Sequence, residues 1–166
     1  MTKLLRLLAL TMLGGLLPTT VGLAQGVTTE ILENAQNYSD RWVTYGRNYG
    51  AWRYMPDDQI NRETVANLRP VWIKQTGVTG GAFEVTALVN DGRMYLTTAN
   101  SHLFVVDPLS GTELWRYDHE FENVDLCCGP HNRGVALYED KVFWGTLDAH
   151  LLAFDAATGI QLWDAE

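Results

Sequence analysis

A repeat in the second half of the chain constrains the fold more than any other feature of the sequence. Residues 105–115 return as residues 153–163, and Asp, Gly and Trp stand at the same three positions of both copies, 48 residues apart. The match extends upstream, where residues 87–97 align with residues 136–146 at a step of 49 residues. The second copy is therefore one residue shorter than the first between the two matched segments. The change falls at a turn, where repeated strands tolerate a change of length. A repeat of this period is the signature of a fold built from stacked units.

Each copy of the repeat predicts four short strands separated by turns. Runs rich in apolar residues form the strands, and Asn-Asp-Gly, Ser-Gly and Thr-Gly sequences mark the turns. The predicted strands are 83–89, 93–98, 102–106 and 113–117 in the first copy, and 134–138, 141–146, 150–154 and 161–163 in the second. Four short strands in about 40–50 residues are typical of one blade of a β-propeller. We therefore predict an all-β fold with two blades, at about 82–117 and 132–163, preceded by one outer strand at 71–75.

The tryptophans that end the two copies, Trp115 and Trp163, are interpreted as structural residues that pack neighbouring blades together. A large flat indole can dock between neighbouring blades and bury on the order of 200 Å², and Gly111 and Gly159 supply the turns that admit it. A propeller closes its ring with about four to eight blades. We therefore expect this chain to be a piece of a larger protein or the product of a truncated gene.

The start of the chain has the features of a secretory signal peptide. Lys3 and Arg6 precede a short apolar stretch at 7–17, and the small residues up to Ala24 provide a cleavage site. A buried N-terminal helix is the alternative. The apolar stretch is too short to span a membrane, and no Cys follows the cleavage site to carry a lipid. We predict a signal peptide at 1–24, export to the periplasm with no membrane span after cleavage, an N-terminal arm at 25–68 and a partial propeller at 69–166.

The charge of the chain argues against one class of partner. The formal net charge is -8 at pH 7 and no cluster of basic residues is present, so nucleic acid is not an expected partner. An acidic surface could help to steer a basic partner protein, although solubility alone accounts for the charge equally well.

Two adjacent cysteines, Cys127 and Cys128, are the only cysteines of the chain. Three interpretations stay open: a disulfide strained by the Cα separation of about 3.8 Å between neighbours, two free thiols, or a weak metal site completed by His131. Arg133 follows at the entry to a predicted strand, where its planar fork could recognise a carboxylate or simply lie at the surface. Glu84 stands at the equivalent entry in the preceding blade, and it either faces the centre of the ring or is solvated.

These features together resemble the pyrroloquinoline quinone (PQQ)-dependent alcohol dehydrogenases, among them the methanol and quinohaemoprotein ethanol dehydrogenases. The resemblance rests on the Asp-x-x-x-Gly-x-x-x-Trp repeats, on the adjacent cysteines followed by Asn-Arg-Gly, and on the arm at 42–50 and 53–61. It covers roughly residues 30–166. It implies an eight-bladed propeller with PQQ on its axis, of which this chain holds about two blades.

The resemblance assigns roles to four residues. Cys127 and Cys128 would form a vicinal disulfide that packs over PQQ, Arg133 would bind a PQQ carboxylate, and Glu84 would bind another polar edge of the ring. The calcium or lanthanide ligands and the catalytic Asp lie later in the family's sequence, so none is assigned to this chain. Haem c is expected only with a further C-terminal domain. Ala87 departs from the family, which usually has Pro at this position.

The implied activity is the oxidation of small primary alcohols to aldehydes, with electrons passed to a cytochrome c. A sugar or aldose dehydrogenase of the same quinoprotein group is one alternative, and the adjacent cysteines favour the alcohol branch. A non-enzymatic propeller scaffold is another, against which the cysteine pair and the missing lipidation Cys both count. A third is an inactive fragment, because we expect the isolated chain to bind PQQ poorly.

Overall fold

The computed structural model describes residues 26–120 and 125–166. The predicted signal peptide at 1–24 lies outside these residues. Within the two described ranges, no helix is long and apolar enough to cross a bilayer. The chain forms two four-stranded antiparallel sheets, and an N-terminal arm touches both of them.

Each copy of the sequence repeat folds into one sheet, whose strands lie side by side in chain order. The first sheet contains β1 Leu88–Asn90, β2 Arg93–Thr98, β3 His102–Val106 and β4 Glu113–Asp118, and the second contains β5 Ala136–Tyr138, β6 Lys141–Gly145, β7 Leu151–Asp155 and β8 Gln161–Ala165. The predicted all-β fold class is therefore confirmed, with both sets of strands in place.

The first strand of each sheet is shorter than predicted. Pairing begins at Leu88 in the first sheet and at Ala136 in the second, not at residues 83 and 134. The segments before these strands leave their sheets and meet each other, since Gly134 lies against Val85 and Thr86. This departure from the sheets brings the two segments that carry Glu84 and Arg133 together.

The Asp and Gly of the repeat form the turn between the third and fourth strands of each sheet. Asp107 accepts hydrogen bonds from the backbone N–H groups of Leu109 and Ser110, both at 2.8 Å. These bonds to the charged form hold the pKa of Asp107 below its ordinary value. The same pattern recurs around Asp155, and in both turns the glycine has a positive φ, near 70°. The repeated Asp and Gly are therefore explained by local turn chemistry.

The predicted docking of tryptophan between blades is confirmed for Trp115 but is not seen for Trp163, which is 40% exposed and meets only the Phe143 ring of its own sheet among the described aromatic contacts. Trp115 donates from Nε1 to the carbonyl oxygen of Ala156 at 3.2 Å, and a Cβ on Gly159 would stand 2.6 Å from its indole. Trp72 makes the same two kinds of contact with the first sheet, donating to the carbonyl oxygen of Pro108 at 3.0 Å. The indoles of Trp115 and Trp72 thus each cover a turn of the sheet that follows them in sequence.

The predicted outer strand at 71–75 is not a strand in the structure. The segment is extended and its burial alternates, with Val71 and Ile73 each 84% exposed and Trp72 facing the first sheet. Lys74 pairs with Glu113 of β4, at 2.9 Å between Nζ and Oε2. No described strand forms a backbone ladder with the segment, so the alternation that suggested a strand is present without the pairing that defines one.

Alternate residues of β4 and its continuation build the contact between the two sheets. Because side chains two positions apart share one face of a strand, Trp115, Tyr117 and His119 all face the second sheet. The Tyr117 ring lies 4.7 Å from the Phe154 ring and meets Trp144 edge-on at 6.3 Å, centroid to centroid. Phe154 and Trp144 are fully buried, so this contact joins the two sheets in one core.

The N-terminal arm closes over this core. Helix α1 at Thr29–Glu33 is capped by Thr28, and 3-10 turns follow at Ala35–Asn37 and Val65–Asn67. Backbone bridges join the arm to both sheets, from Val27 to Glu139 and from Trp42 to Val89. Because one bridge reaches each sheet, the arm holds the two blades together.

Histidine and aspartate side chains also join the sheets. His119 Nε2 lies 2.8 Å from Asp148 Oδ2, in the turn before β7, and both side chains are mostly buried. His150 Nδ1 lies 2.7 Å from Asp164 Oδ1 and its Nε2 lies 4.0 Å from Asp148. Burial opposes ionisation of Asp148, but hydrogen bonds from Thr146 and His119 outweigh it and lower its pKa.

We expect the His150 pair to make stability depend on pH. The hydrogen bond to Asp164 raises the pKa of His150 above its ordinary value of 6.5, so the folded protein holds this proton more tightly than the unfolded chain does. The stabilisation is present in full below the ordinary pKa and is lost as the pH rises through the folded value. Urea unfolding from about pH 5.5 to 8 should therefore show a free energy of unfolding that falls more steeply in the wild type than in His150→Gln. Asp164→Asn should flatten the profile in the same way, and identical slopes in all three proteins would contradict the assignment.

Candidate functional site

The residues predicted from sequence lie on two segments that leave the sheets just before β1 and β5. Cys127, Cys128 and Arg133 belong to residues 125–135, which we call the Cys loop, and Glu84 belongs to the segment that precedes β1. Arg133 Nη2 lies 3.0 Å from Glu84 Oε2, and their side chains are 71% and 35% exposed. Two residues far apart in sequence thus form one ion pair at the surface.

His131 contributes a second nitrogen to the same carboxylate. Its Nδ1 lies 4.0 Å from Glu84 Oε1, opposite the oxygen that faces Arg133. The sequence had suggested His131 only as a possible metal ligand beside the cysteines. Its place beside Glu84 depends on how the two segments cross, for which no local sequence signal exists.

Asn132 anchors the Cys loop to the second sheet. It is buried, donates from Nδ2 to the carbonyl oxygen of Gly145 at 3.0 Å, and accepts from the N–H of Gly134 at 3.1 Å. Asn100 ties the loop to the first sheet through its N–H, which donates to the carbonyl oxygen of Pro130 at 3.3 Å. Sequence reasoning assigned no role to Asn132. The one sequence feature that could have indicated this role is the position of Asn132 directly before Arg133. By fixing the backbone at residue 132, Asn132 also fixes the point from which the Arg133 side chain extends.

The two cysteines are exposed free thiols in the structure. The hydrogen bond with the Cys127 thiol raises the pKa of the Cys128 thiol, and a raised pKa disfavours the reactive thiolate. The predicted disulfide is therefore not seen and stays a prediction. In the described parts of the chain, no group of three or more His, Cys, Asp and Glu residues is placed to hold a metal ion.

The N-terminal arm brings an aromatic and a cationic side chain to the same neighbourhood. The guanidinium carbon of Arg53 lies 4.4 Å from the centroid of the Tyr45 ring. A hydrogen bond from Arg53 lowers the pKa of the Tyr45 phenol, and the charge of Arg133 lowers it further. Neither Tyr45 nor Arg53 was a candidate from sequence. The contact of Glu84 with Arg133 and His131 thus has a tyrosine within reach of the Arg133 charge, and the two thiols lie on the same loop as Arg133.

Comparison with known proteins agrees with the fold. Residues 42–164 match the PQQ family described as the glucose, ethanol and alcohol dehydrogenase β-propeller domain. The match spans most of the chain, and the chain belongs to this family. It is 43% identical over 142 residues to the dehydrogenase subunit of the quinone-type alcohol dehydrogenase of Komagataeibacter europaeus, a match over 84% of this chain and 19% of that protein.

Solved structures give the same result. The quinohemoprotein alcohol dehydrogenase ADHIIG of Pseudomonas putida HK5 superposes with a TM-score of 0.78 at 33% identity, over 86% of this chain and 21% of that one. A europium-containing methanol dehydrogenase superposes with a TM-score of 0.72 at 31% identity, over 82% and 24%. The chain thus spans about a fifth of the length of the curated relatives it matches. Both structures belong to the group that the sequence features resemble.

Proposed function

We propose that this chain forms part of a periplasmic PQQ-dependent dehydrogenase that oxidises primary alcohols to aldehydes and passes the electrons to a cytochrome c. The observation that carries the proposal is the contact between Glu84 and Arg133, whose loop also carries the adjacent cysteines. All four residues that the family resemblance assigns to the cofactor lie on the two segments that meet at this contact. The names of the relatives, which are quinone-type and quinohemoprotein alcohol dehydrogenases, support the alcohol as substrate.

The residues present fit a flat anionic cofactor such as PQQ. Arg133 is 71% exposed, so most of its guanidinium is accessible to a carboxylate although one nitrogen faces Glu84. A planar guanidinium binds carboxylates through two parallel hydrogen bonds. The exposed Cys127 and Cys128 lie on the same loop and offer a surface on which a ring could rest. Under this proposal Arg133 holds a cofactor carboxylate and Glu84 holds a polar edge of the ring.

We also propose that Cys127 and Cys128 close to a disulfide in the exported protein. Closure joins the two sulfurs and passes two electrons and two protons to a thiol oxidant of the periplasm. The two thiols are already neighbours and exposed, so an oxidant can reach them. The closed ring is stiffer than two separate thiols, and a stiff surface costs less entropy when a flat ligand rests on it.

The bound quinone would supply the two-electron acceptor for alcohol oxidation. The residues of this chain bind and orient that ring, and a calcium or lanthanide ion would need ligands other than Glu84, Arg133 and the two cysteines. A haem c group, if the protein uses one, belongs to a separate domain. The acidic surface, with a formal net charge of -8, is suited to attract a basic electron acceptor.

Purified native gene product, supplied with PQQ and calcium, should reduce an artificial dye when ethanol or butanol is added. We expect saturable turnover that requires PQQ and alcohol together. Cys127→Ser should lower kcat by about 100-fold, because misplacement of the ring by even a small distance is costly, and should leave the thermal midpoint nearly unchanged. Wild-type protein that reduces dye with no alcohol would contradict the proposed activity, whereas unchanged turnover in Cys127→Ser would contradict cofactor contact at the cysteines.

A further inference from the structure

The Glu84 carboxylate lies between two nitrogen-bearing side chains of the Cys loop. Arg133 Nη2 stands 3.0 Å from Oε2, and His131 Nδ1 stands 4.0 Å from Oε1. The two oxygens therefore face different partners. When the His131 imidazole is neutral, Arg133 is the sole full positive charge that these two contacts offer to the Glu84 carboxylate. When the imidazole is protonated, it supplies a second positive charge.

The position of the imidazole is set by the backbone of the loop. The N–H of His131 donates to the carbonyl oxygen of Gly129 at 2.9 Å, and the ring lies so close to this glycine that a Cβ there would be 2.9 Å from Nε2. Gly129 also has a φ of 96°, which favours glycine. Within the described residues, the buried Nδ1 has no hydrogen-bond partner. The ring is thus held near Glu84 at a distance where charge, not a hydrogen bond, decides the interaction.

We propose that protonation of His131 strengthens PQQ binding, because the imidazolium attracts Glu84 and leaves Arg133 free for a cofactor carboxylate. His131 is then a positioning residue for Glu84, and this inference rests on the function proposed above. With a neutral imidazole, Glu84 competes with the incoming carboxylate for Arg133 and repels it. With an imidazolium, the site gains one positive charge and the competition is relieved.

Other titratable groups lie near the site, and a His131→Gln variant separates their contribution from that of the imidazole. Among the described residues, the ion pairs of this cluster join the Glu84 carboxylate to Arg133 and to the His131 imidazole. The hydrogen bond with Cys127 raises the pKa of the Cys128 thiol, and the hydrogen bond from Arg53 lowers the pKa of the Tyr45 phenol. An imidazole changes charge between about pH 5 and 8, whereas ordinary carboxylates stay ionised there.

The test is PQQ binding to the cofactor-stripped native gene product at fixed calcium, measured by calorimetry at about pH 5.5 and 7.5. The Kd of the wild type should rise about fivefold over this interval, the size expected for a partly exposed charge pair. His131→Gln should bind weakly at both values, and His131→Lys, which keeps its charge, should bind tightly at both. His102→Gln is the matched control, since His102 also pairs with a carboxylate, that of Asp118, and not with Glu84, and it should keep the wild-type dependence.

The outcomes separate this inference from the proposed function. A fivefold dependence that persists in His131→Gln, or a wild-type dependence in His131→Lys, would overturn the role of His131 while PQQ binding itself stands. Wild-type protein that binds no PQQ at either pH would overturn the proposed function and this inference with it.

Discussion

Replacing Gly159 by Ala is expected to lower the free energy of unfolding by about 2–4 kcal/mol. The left-handed backbone conformation, at a φ of 73°, costs a residue with a Cβ about 1 kcal/mol. The new methyl group would also stand 2.6 Å from the indole of Trp115, and overpacking of this kind costs roughly 1–3 kcal/mol. The indole cannot easily move away, because its Nε1 donates to the carbonyl oxygen of Ala156 and its ring packs near Phe154. Urea denaturation monitored by tryptophan fluorescence measures the loss.

Gly92 provides the matched control for this substitution. It lies in the turn between β1 and β2 with a φ of 68°, and nothing lies within 4 Å of a Cβ built on it. Gly92→Ala therefore carries the backbone cost without the collision, and we expect a loss of about 1 kcal/mol. If the two variants were equally destabilised, the docking of Trp115 on the turn would contribute nothing beyond backbone conformation.

Replacing Arg133 by Gln is expected to raise the Kd for PQQ by roughly 30-fold, which corresponds to about 2 kcal/mol of charge-assisted hydrogen bonding. The substitution removes a guanidinium that binds carboxylates and also leaves the Glu84 charge to repel the anionic cofactor. Because the side chain is 71% exposed, the free energy of unfolding should change by no more than about 0.5 kcal/mol. Calorimetric titration of PQQ into stripped protein, beside urea denaturation, measures both quantities.

Two further variants make the Arg133 result specific. Arg133→Lys keeps the charge but loses the planar fork, so its Kd should fall between those of the wild type and Arg133→Gln. Arg93→Gln removes an arginine that also pairs with a carboxylate, Asp91 at 3.1 Å, at the other end of the sheet's first hairpin. If Arg93→Gln weakened PQQ binding as much as Arg133→Gln does, the effect would reflect net charge and not a contact at the site.

Part of the candidate site could be predicted from the sequence, and the contacts between its residues could not. Glu84, Cys127, Cys128 and Arg133 were named from motifs and resemblance, and the structure places Glu84 against Arg133. The role of Asn132 and the nearness of His131 to Glu84 were not predicted, and neither were Tyr45 and Arg53. These residues stand on three separate segments, so no spacing along the chain relates them.

The strands follow from the sequence alone because the forces that define them are local. The alternation of side chains sets the strand faces, and the Asp side chain that accepts backbone N–H groups two and three residues later sets each turn. A repeat of 48 residues then places the same turn in both sheets. These interactions involve neighbours in the chain, so their pattern is visible in the order of the residues.

Pairing across distance is different, because it depends on where the folded chain brings a second segment. Residues 71–75 alternate as a strand would, yet they form none, since a strand needs a backbone ladder and no described strand pairs with them. The sequence also predicts strands for the segments just before β1 and β5. In the structure these segments leave their sheets and meet each other at Gly134. Their meeting places Glu84 between Arg133 and His131, a neighbourhood that only the folded chain creates, because about 50 residues of sequence separate the carboxylate from the two nitrogen-bearing side chains.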